Sequence, residues 1–497
     1  MRARDTWVLL ATIVGSSMAF IDGSVVTLAL PAIQRDFHAS AGDVAWIVEL
    51  YTLVLGSLML LGGALADRYG RKRAFVGGVA LFTVASVGCA FAWSIPTMLI
   101  ARVVQATGGM LFVPASLAIL GNHFSGDARG RAIGIWSGFS ALTSTLGPAL
   151  GGLLIDTLGW RSVFWINVPL ALIVLAAATR HVGESSDENA PKQMDWLGAA
   201  LSTLGFGGIT YALILSSSTG WTPRVNAALF AGFALLAYFV VHEHRVRNPL
   251  APPKIFRSRT FAVINLSTLF LYGALGAMFY QMPFVMIQAH GYTALQTAFA
   301  TLPLGICLIV LSRIAPALAA RFGVRTVLAW GPVIAAAGYL LLALLEPAPS
   351  YWLGFFPGIL ALGIGMGVTV APLTTTVINA VDSEHVGIAS GINNAVSRIA
   401  GLLAIAVFTM VVAIVYNASM TRSLDAMHAT PSMRGAVSAQ RDRLGGAHFN
   451  VPALQRASID AFEHGYRGVA LGCAILAVLA ALADAFGIEE AKLRTAD

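Results

Sequence analysis

GALADRYGRKR, residues 63–73, sits between two long apolar runs, and a worn copy, PALAARFGVRT, returns at residues 316–326. The first copy places Arg68, Arg71, Lys72 and Arg73 in a loop of a few residues. Short cationic loops between membrane spans are strongly held on the cytoplasmic side. The second copy keeps Ala317, Leu318, Ala319, Arg321 and Gly323 in register and puts Ala320 where the first has Asp67. A duplicated turn between membrane helices marks a transporter built from repeated halves.

Composition agrees. Of 497 residues, 57% are hydrophobic and only 11% charged, where a soluble protein carries roughly a quarter. The chain reads as an all-α polytopic membrane protein, and its net charge of +7 concerns topology rather than nucleic acid. The apolar stretch 7–30 is too long for a signal-peptide core and is expected to stay as the first span. Cys89, Cys307 and Cys473 all lie in apolar runs, as small packing residues do. No disulfide, metal-ligand or catalytic spacing occurs, and no phosphate-binding loop argues for an ATP-driven pump or any other enzyme.

Windows of about 20 apolar residues give fourteen spans. They begin near Trp7, Val44, Ala74, Ile95, Ala132, Val163, Leu197, Ala227, Phe261, Ala294, Val327, Trp352, Ile399 and Gly468. With the N-terminus inside, alternate short loops hold Arg68/Arg71/Lys72/Arg73, Arg129/Arg131, Arg180/Lys192, the run from Arg245 to Arg259, and Arg321/Arg325. The opposite short loops hold only Arg35, Arg161 and Arg224. This asymmetry places both termini in the cytoplasm of a multi-pass cell-membrane protein. The repeated turn recurs eight spans on, where two six-span halves would give six. The expectation is an N-terminal bundle over 1–182, two inserted helices over 195–242, and a C-terminal bundle over 260–487 with a long external segment at 417–466.

Asp22 interrupts span 1, and a charge there costs about 2.5–3.5 kcal/mol even on the mildest scale. Helix rise puts it at the depth of Arg102 in span 4. Two readings stand: a static ion pair locking two helices, or a titrating carboxylate beside a fixed cation, which is a workable proton-coupling device. Glu49, a few residues into span 2, is either a second acidic site or a solvated outer residue. In GFSALTSTLGPALGG (138–152), Gly147, Pro148 and Gly151 serve either a bend or tight helix packing. Arg313 and Arg398 read as snorkelling anchors, Asp156 and Glu346 as solvated. Asp484, near the end of the last span, and His123 and His385, in loops, have no motif around them.

Together these segments resemble the major facilitator superfamily, specifically its fourteen-helix drug:proton antiporter branch. GALADRYGRKR matches the superfamily loop between helices 2 and 3. RVVQATGG (102–109) resembles the helix-4 motif with Ala106 in place of a usual glycine. GFSALTSTLGPALGG looks like the helix-5 antiporter motif. IDGSVVTLALP (21–31), with Thr27 where asparagine is common, and GWRSVFWINVP (159–169) resemble the fourteen-helix branch. The resemblance implies proton coupling through Arg102 and binding of proton or cationic substrate at Asp22. It implies that Gly147 and Pro148 limit leak. Asp67 would pair with the stretch 391–398, while Gly63 and Gly70 frame the motif and Arg68, Arg71 and Arg73 anchor it to lipid headgroups or nearby acids.

The leading expectation is a secondary active exporter driven by the proton-motive force, with no cofactor. Its cavity would be lined by Met18, Phe20, Trp46, Phe112, Phe139, Tyr272, Phe279 and Met366, which suit amphipathic drugs or hydrophobic cations. A narrow metabolite transporter of the same fold is the second reading. A non-transporting sensor or assembly partner is the third, with the external segment available to a periplasmic adaptor.

Overall fold

The computed structural model describes residues 3–187, 195–247, 249–344, 350–382 and 386–489; Lys192, Glu346 and His385 lie outside them. The described chain is helical throughout. In order come α1 (Ala3–Phe37), α2 (Ala41–Tyr69), α3 (Arg71–Ala90), α4 (Ile95–His123), α5 (Gly126–Leu158), α6 (Ser162–Trp165), α7 (Asn167–His181), α8 (Trp196–Thr219) and α9 (Pro223–Glu243). After a 3₁₀ turn follow α10 (Arg259–Phe284, continued by a π turn to Ala289), α11 (Ala294–Phe322), α12 (Val324–Leu344), α13 (Tyr351–Gly354), α14 (Phe356–Asn379), α15 (Val386–Ala426), α16 (Pro431–Gln440) and α17 (Pro452–Gly487). Among the described residues thirteen helices are long and apolar enough to cross a membrane, and Thr145–Leu158 in α5 is a further apolar stretch.

Local chemistry explains the ends. Ser94 with Thr97 and Thr293 with Gln296 form capping boxes at the starts of α4 and α11, satisfying backbone donors that have no intrahelical acceptor. The two copies of the repeated turn adopt one solution. Gly70 at φ 115° and Gly323 at φ 87° each join two helices through a single residue, a conformation that a side chain disfavours. α15 and α17 run well beyond their apolar windows, so the segment between them that is not part of either helix is 427–451, and it contains α16 and a 3₁₀ turn. Polar residues such as Arg422 and Arg456 end a hydropathy window without ending a helix.

The chain divides into two units. Unit 1 comprises 1–29, 46–207 and 234–250; unit 2 comprises 30–45, 208–233 and 251–497. In unit 1, α3 lies along α4 and α7. A Cβ on Gly78 would stand 2.8 Å from the Gly108 carbonyl oxygen, and one on Gly108 2.6 Å from the Phe82 amide. The two backbones are therefore in direct contact, the close approach small residues allow in membrane helices. In unit 2, α12 packs on α14 and α17, α11 on α14, and α10 on α15 and α17.

Gly108→Leu should overpack the α3–α4 contact by about 1–3 kcal/mol and lower the thermal midpoint of the detergent-purified protein. Gly77→Leu is the control, because a Cβ there meets nothing within 4 Å and the midpoint should not move.

Candidate functional site

Asp22 and Arg102 are brought together inside unit 1, both fully buried. Arg102 Nη1 donates to Asp22 Oδ2 at 2.5 Å and to Gln105 Oε1 at 2.7 Å. Gln105 Nε2 donates to Asp22 Oδ1 at 2.8 Å, so both carboxylate oxygens are engaged. Arg102 Nε donates to the Ile47 carbonyl at 3.0 Å, and its guanidinium lies 4.0 Å from the centre of the Tyr51 ring. α2 thus holds the cation independently of Asp22. This division of labour suits a device in which the cation stays and the carboxylate changes partner. Gln105 follows Arg102 by three residues on α4, a helical spacing that places both on one face. The contribution of α2, through Ile47 and Tyr51, depends on a helix register that no motif marks.

Glu49 is fully buried, and neither carboxylate oxygen has a hydrogen-bond partner among the described residues. The solvated reading of this residue is therefore overturned: this stretch of α2 is covered by packing that hydropathy cannot report. A buried carboxylate without a partner is expensive as a charge.

α5 lies against α1 around Asp22. A Cβ on Gly147 would meet Ser24 Oγ at 3.0 Å, and one on Gly151 would meet Val25. α5 runs as one helix through Pro148, which lacks the amide needed for its own helical hydrogen bond. Tight packing of α5 on α1 is the arrangement found. Ser17 and Thr143 hydroxyls, 3.1 Å apart, add a polar tie between the two helices.

In the repeated loop, Arg71 Nε donates to Asp67 Oδ1 at 2.7 Å within one helical turn. The acid that organises the loop is Glu184, which the sequence motifs do not include. Its carboxylate accepts from the Lys72 amide at 3.0 Å and the Arg73 amide at 3.2 Å. It caps the start of α3 from a position 112 residues away. The chain beside it adds bonds from the Arg71 amide to the Ser185 carbonyl and from the Asp187 amide to the Asp67 carbonyl, each 2.8 Å. Gly70 is required by its positive φ; a Cβ there would stand 2.8 Å from the Glu184 carboxyl, the movable end of a flexible side chain. Arg68 and Arg73 are exposed. Gly63 meets Pro114 at an ordinary 3.5 Å, whereas Gly62, its neighbour, is the residue a side chain would drive into the α4 backbone at Met110.

The eight expected cavity residues do not share one environment. Met18 and Phe112 belong to the hydrophobic core of unit 1, where Phe112 stands edge-on to Phe75 and Phe82, and Met366 is buried in unit 2. These three are packing residues. Phe20, Trp46, Tyr272 and Phe279 are half-buried and Phe139 is exposed. Apolar side chains look alike in sequence whether they face a core, a lipid or a cavity, which is why the distinction waited for the fold.

Repeated glycine-joined turns, helices long enough to span a bilayer and a buried ion pair between them define a membrane transporter rather than an enzyme. The family model described as Major Facilitator Superfamily matches residues 12–405, and the chain belongs to that family. The multidrug resistance protein Stp of Mycobacterium tuberculosis is 32% identical over 86% of this chain and 79% of its own length. The tetracenomycin C resistance and export protein of Streptomyces glaucescens is 32% identical over 83% of this chain and 77% of its own. A bacterial homologue of the human lysosomal transporter Spinster shares the fold, with a TM-score of 0.67 at 19% identity over 97% of this chain and 98% of that one.

Glu184→Ala should remove the acceptor of two backbone amides at the start of α3, a capping loss of about 1 kcal/mol. Limited proteolysis of the purified protein should then cut faster in the loop around Gly70 than in wild type.

Proposed function

We propose that the protein exports amphipathic, hydrophobic or cationic compounds from the cell in exchange for protons, by alternating access, as a member of the fourteen-helix drug:proton antiporter branch. The observation that carries this reading is the Asp22–Arg102–Gln105 cluster buried in unit 1. Resistance and export functions are named for the relatives from Mycobacterium and Streptomyces, which supports outward transport of toxic small molecules. The charge asymmetry of the short loops supports a cell-membrane protein with both termini in the cytoplasm. The domain division that goes with this reading is two six-helix bundles and an inserted pair, α8 and α9.

The mechanism follows from what happens when Asp22 takes a proton. Removing one partner of a buried pair costs about 3–5 kcal/mol when the other charge is left uncompensated. Here Arg102 keeps the Ile47 carbonyl, Gln105 Oε1 and the Tyr51 ring face, so Asp22 can be neutralised without stranding the cation. A deprotonated Asp22 is available to a substrate cation, a protonated one is not, and this competition couples the fluxes. Glu49 serves as a second acid for cationic substrates. Phe20, Trp46 and Phe139 are the aromatic surfaces that unit 1 offers to substrate. Arg68 binds lipid headgroups at the membrane surface, Arg73 pairs with the Glu184 carboxylate 3.7 Å away, and Asp67 and Arg71 set the state of the loop.

Addition of tetraphenylphosphonium to energised inverted vesicles should release protons from the wild-type lumen and fail to do so with Asp22→Asn. Full exchange in the variant would remove Asp22 from the mechanism. Silence of the wild type would point instead to a neutral or anionic metabolite. Glu49→Gln should keep the exchange and lower transport of the lipophilic cation several-fold relative to a neutral substrate.

A further inference from the structure

Asp484 lies on α17, three residues before that helix ends at Gly487, and its side chain is completely buried. One oxygen, Oδ2, accepts from Ser267 Oγ on α10 at 2.7 Å. The other, Oδ1, has no hydrogen-bond partner among the described residues. The helices packed against α17 within unit 2 are α10, α12 and α15. Their charged groups towards the same end are Arg259 on α10, Arg325 on α12 and Arg398 on α15. Arg259 spends its guanidinium on the Phe486 carbonyl at 3.1 Å, and no ion pair to Asp484 occurs among the described residues. The contrast with Asp22 is sharp. Asp22 has a cation and an amide on its two oxygens; Asp484 has one hydroxyl.

A separate polar cluster lies on the same stretch of α10. Next to Ser267 on α10, Thr268 Oγ1 accepts from Asn393 Nδ2 on α15 at 2.8 Å, and Asn265 Oδ1 accepts from the same nitrogen at 3.2 Å. Asn265 in turn donates to the Phe261 carbonyl at 2.8 Å. α10 is thereby tied to α15 by neutral hydrogen bonds and, separately through Ser267, to α17, where Asp484 is the titratable partner. The end of α17 is about 4.5 Å away along the helix axis, a short path for a proton from water. Adding or removing a charge at an otherwise neutral junction of packed helices changes its energy by far more than any one of its hydrogen bonds.

We propose that Asp484 is a second proton-binding site, in unit 2, through which cytoplasmic pH acts on transport. The proposal rests on the orientation and the proton-coupled export argued above. Asp484 binds and releases its proton on the cytoplasmic side, with Ser267 on α10 as its positioning residue and the change acting at the packing of α17 on α10.

In inverted vesicles the cytoplasmic face meets the medium. Tetraphenylphosphonium uptake is measured across the neutral range of medium pH, with the pH difference across the membrane held constant. The wild type should show a titration. Asp484→Asn, which keeps the shape and the acceptor for Ser267, should flatten it while proton exchange through Asp22 persists. Ser267→Ala, which leaves the carboxyl in place, should displace the midpoint by about half a pH unit or more. An unchanged profile in Asp484→Asn overturns the proposal, as does a uniform loss of rate at every pH with a lowered thermal midpoint, since that is a packing role. If Asp484→Asn does not fold, an undisplaced midpoint in Ser267→Ala overturns it. Failure of the exporter reading itself registers separately, as absence of cation-evoked proton release in the wild type.

Discussion

A guanidinium buried inside a bundle of membrane helices constrains everything around it. Arg102 cannot lose its proton in a protein, so its charge must be answered wherever the fold places it. The answer comes from three helices at once: Asp22 on α1, the Ile47 carbonyl and Tyr51 ring on α2, and Gln105 on α4 itself. Those contacts set the register of α1, α2 and α4 against one another. The glycine face of α5, fitted against Ser24 and Val25, then closes the turn of α1 that carries the acid. The same arrangement gives Arg102 a carboxylate partner, Asp22, beside contacts that stay neutral at physiological pH, which is what turns a packing constraint into a candidate engine.

The loop between α2 and α3 shows how a repeat decays. The second copy has lost Asp67, replaced by Ala320, and at the position of Arg71 it carries Val324. These are the two members of one i,i+4 ion pair, and they have gone together. What remains in both copies is the glycine whose positive φ lets one helix turn directly into the next. The turn geometry is thus separable from the charge device built on it, and the device belongs to the first copy, where Glu184 reaches across to cap α3.

Much of this was legible without coordinates, for reasons that differ by residue. Asp22 and Arg102 stood out because charges within apolar windows are costly, and helix rise alone put them at one depth. The meeting of their side chains is a matter of rotation about the helix axes, which a motif does not carry. Gln105 was within reach at i+3 from Arg102, but Tyr51 and the Ile47 carbonyl were not. Glu184 and Asp484 look in sequence like an ordinary polar residue after a span and an ordinary acid near a span end. Only its partners separate Glu184, and only its burial separates Asp484, from their solvated equivalents. Met18, Phe112 and Met366 show the opposite limit, since packing residues and cavity residues have the same chemistry.

By itself, the sequence determined that this is an all-α membrane protein with a repeated turn, and which charges lie within its spans. These properties are local: they depend on hydrophobic length and on charge density in short loops. The tertiary structure decided which buried acid has a cation and which has only a hydroxyl, and which aromatic rings are core. Those are questions of helix rotation and lateral packing. Nearly every side chain of a membrane span is apolar, so the lipid-facing and protein-facing sides of a helix carry little contrast, and the rotation has to be read from the fold.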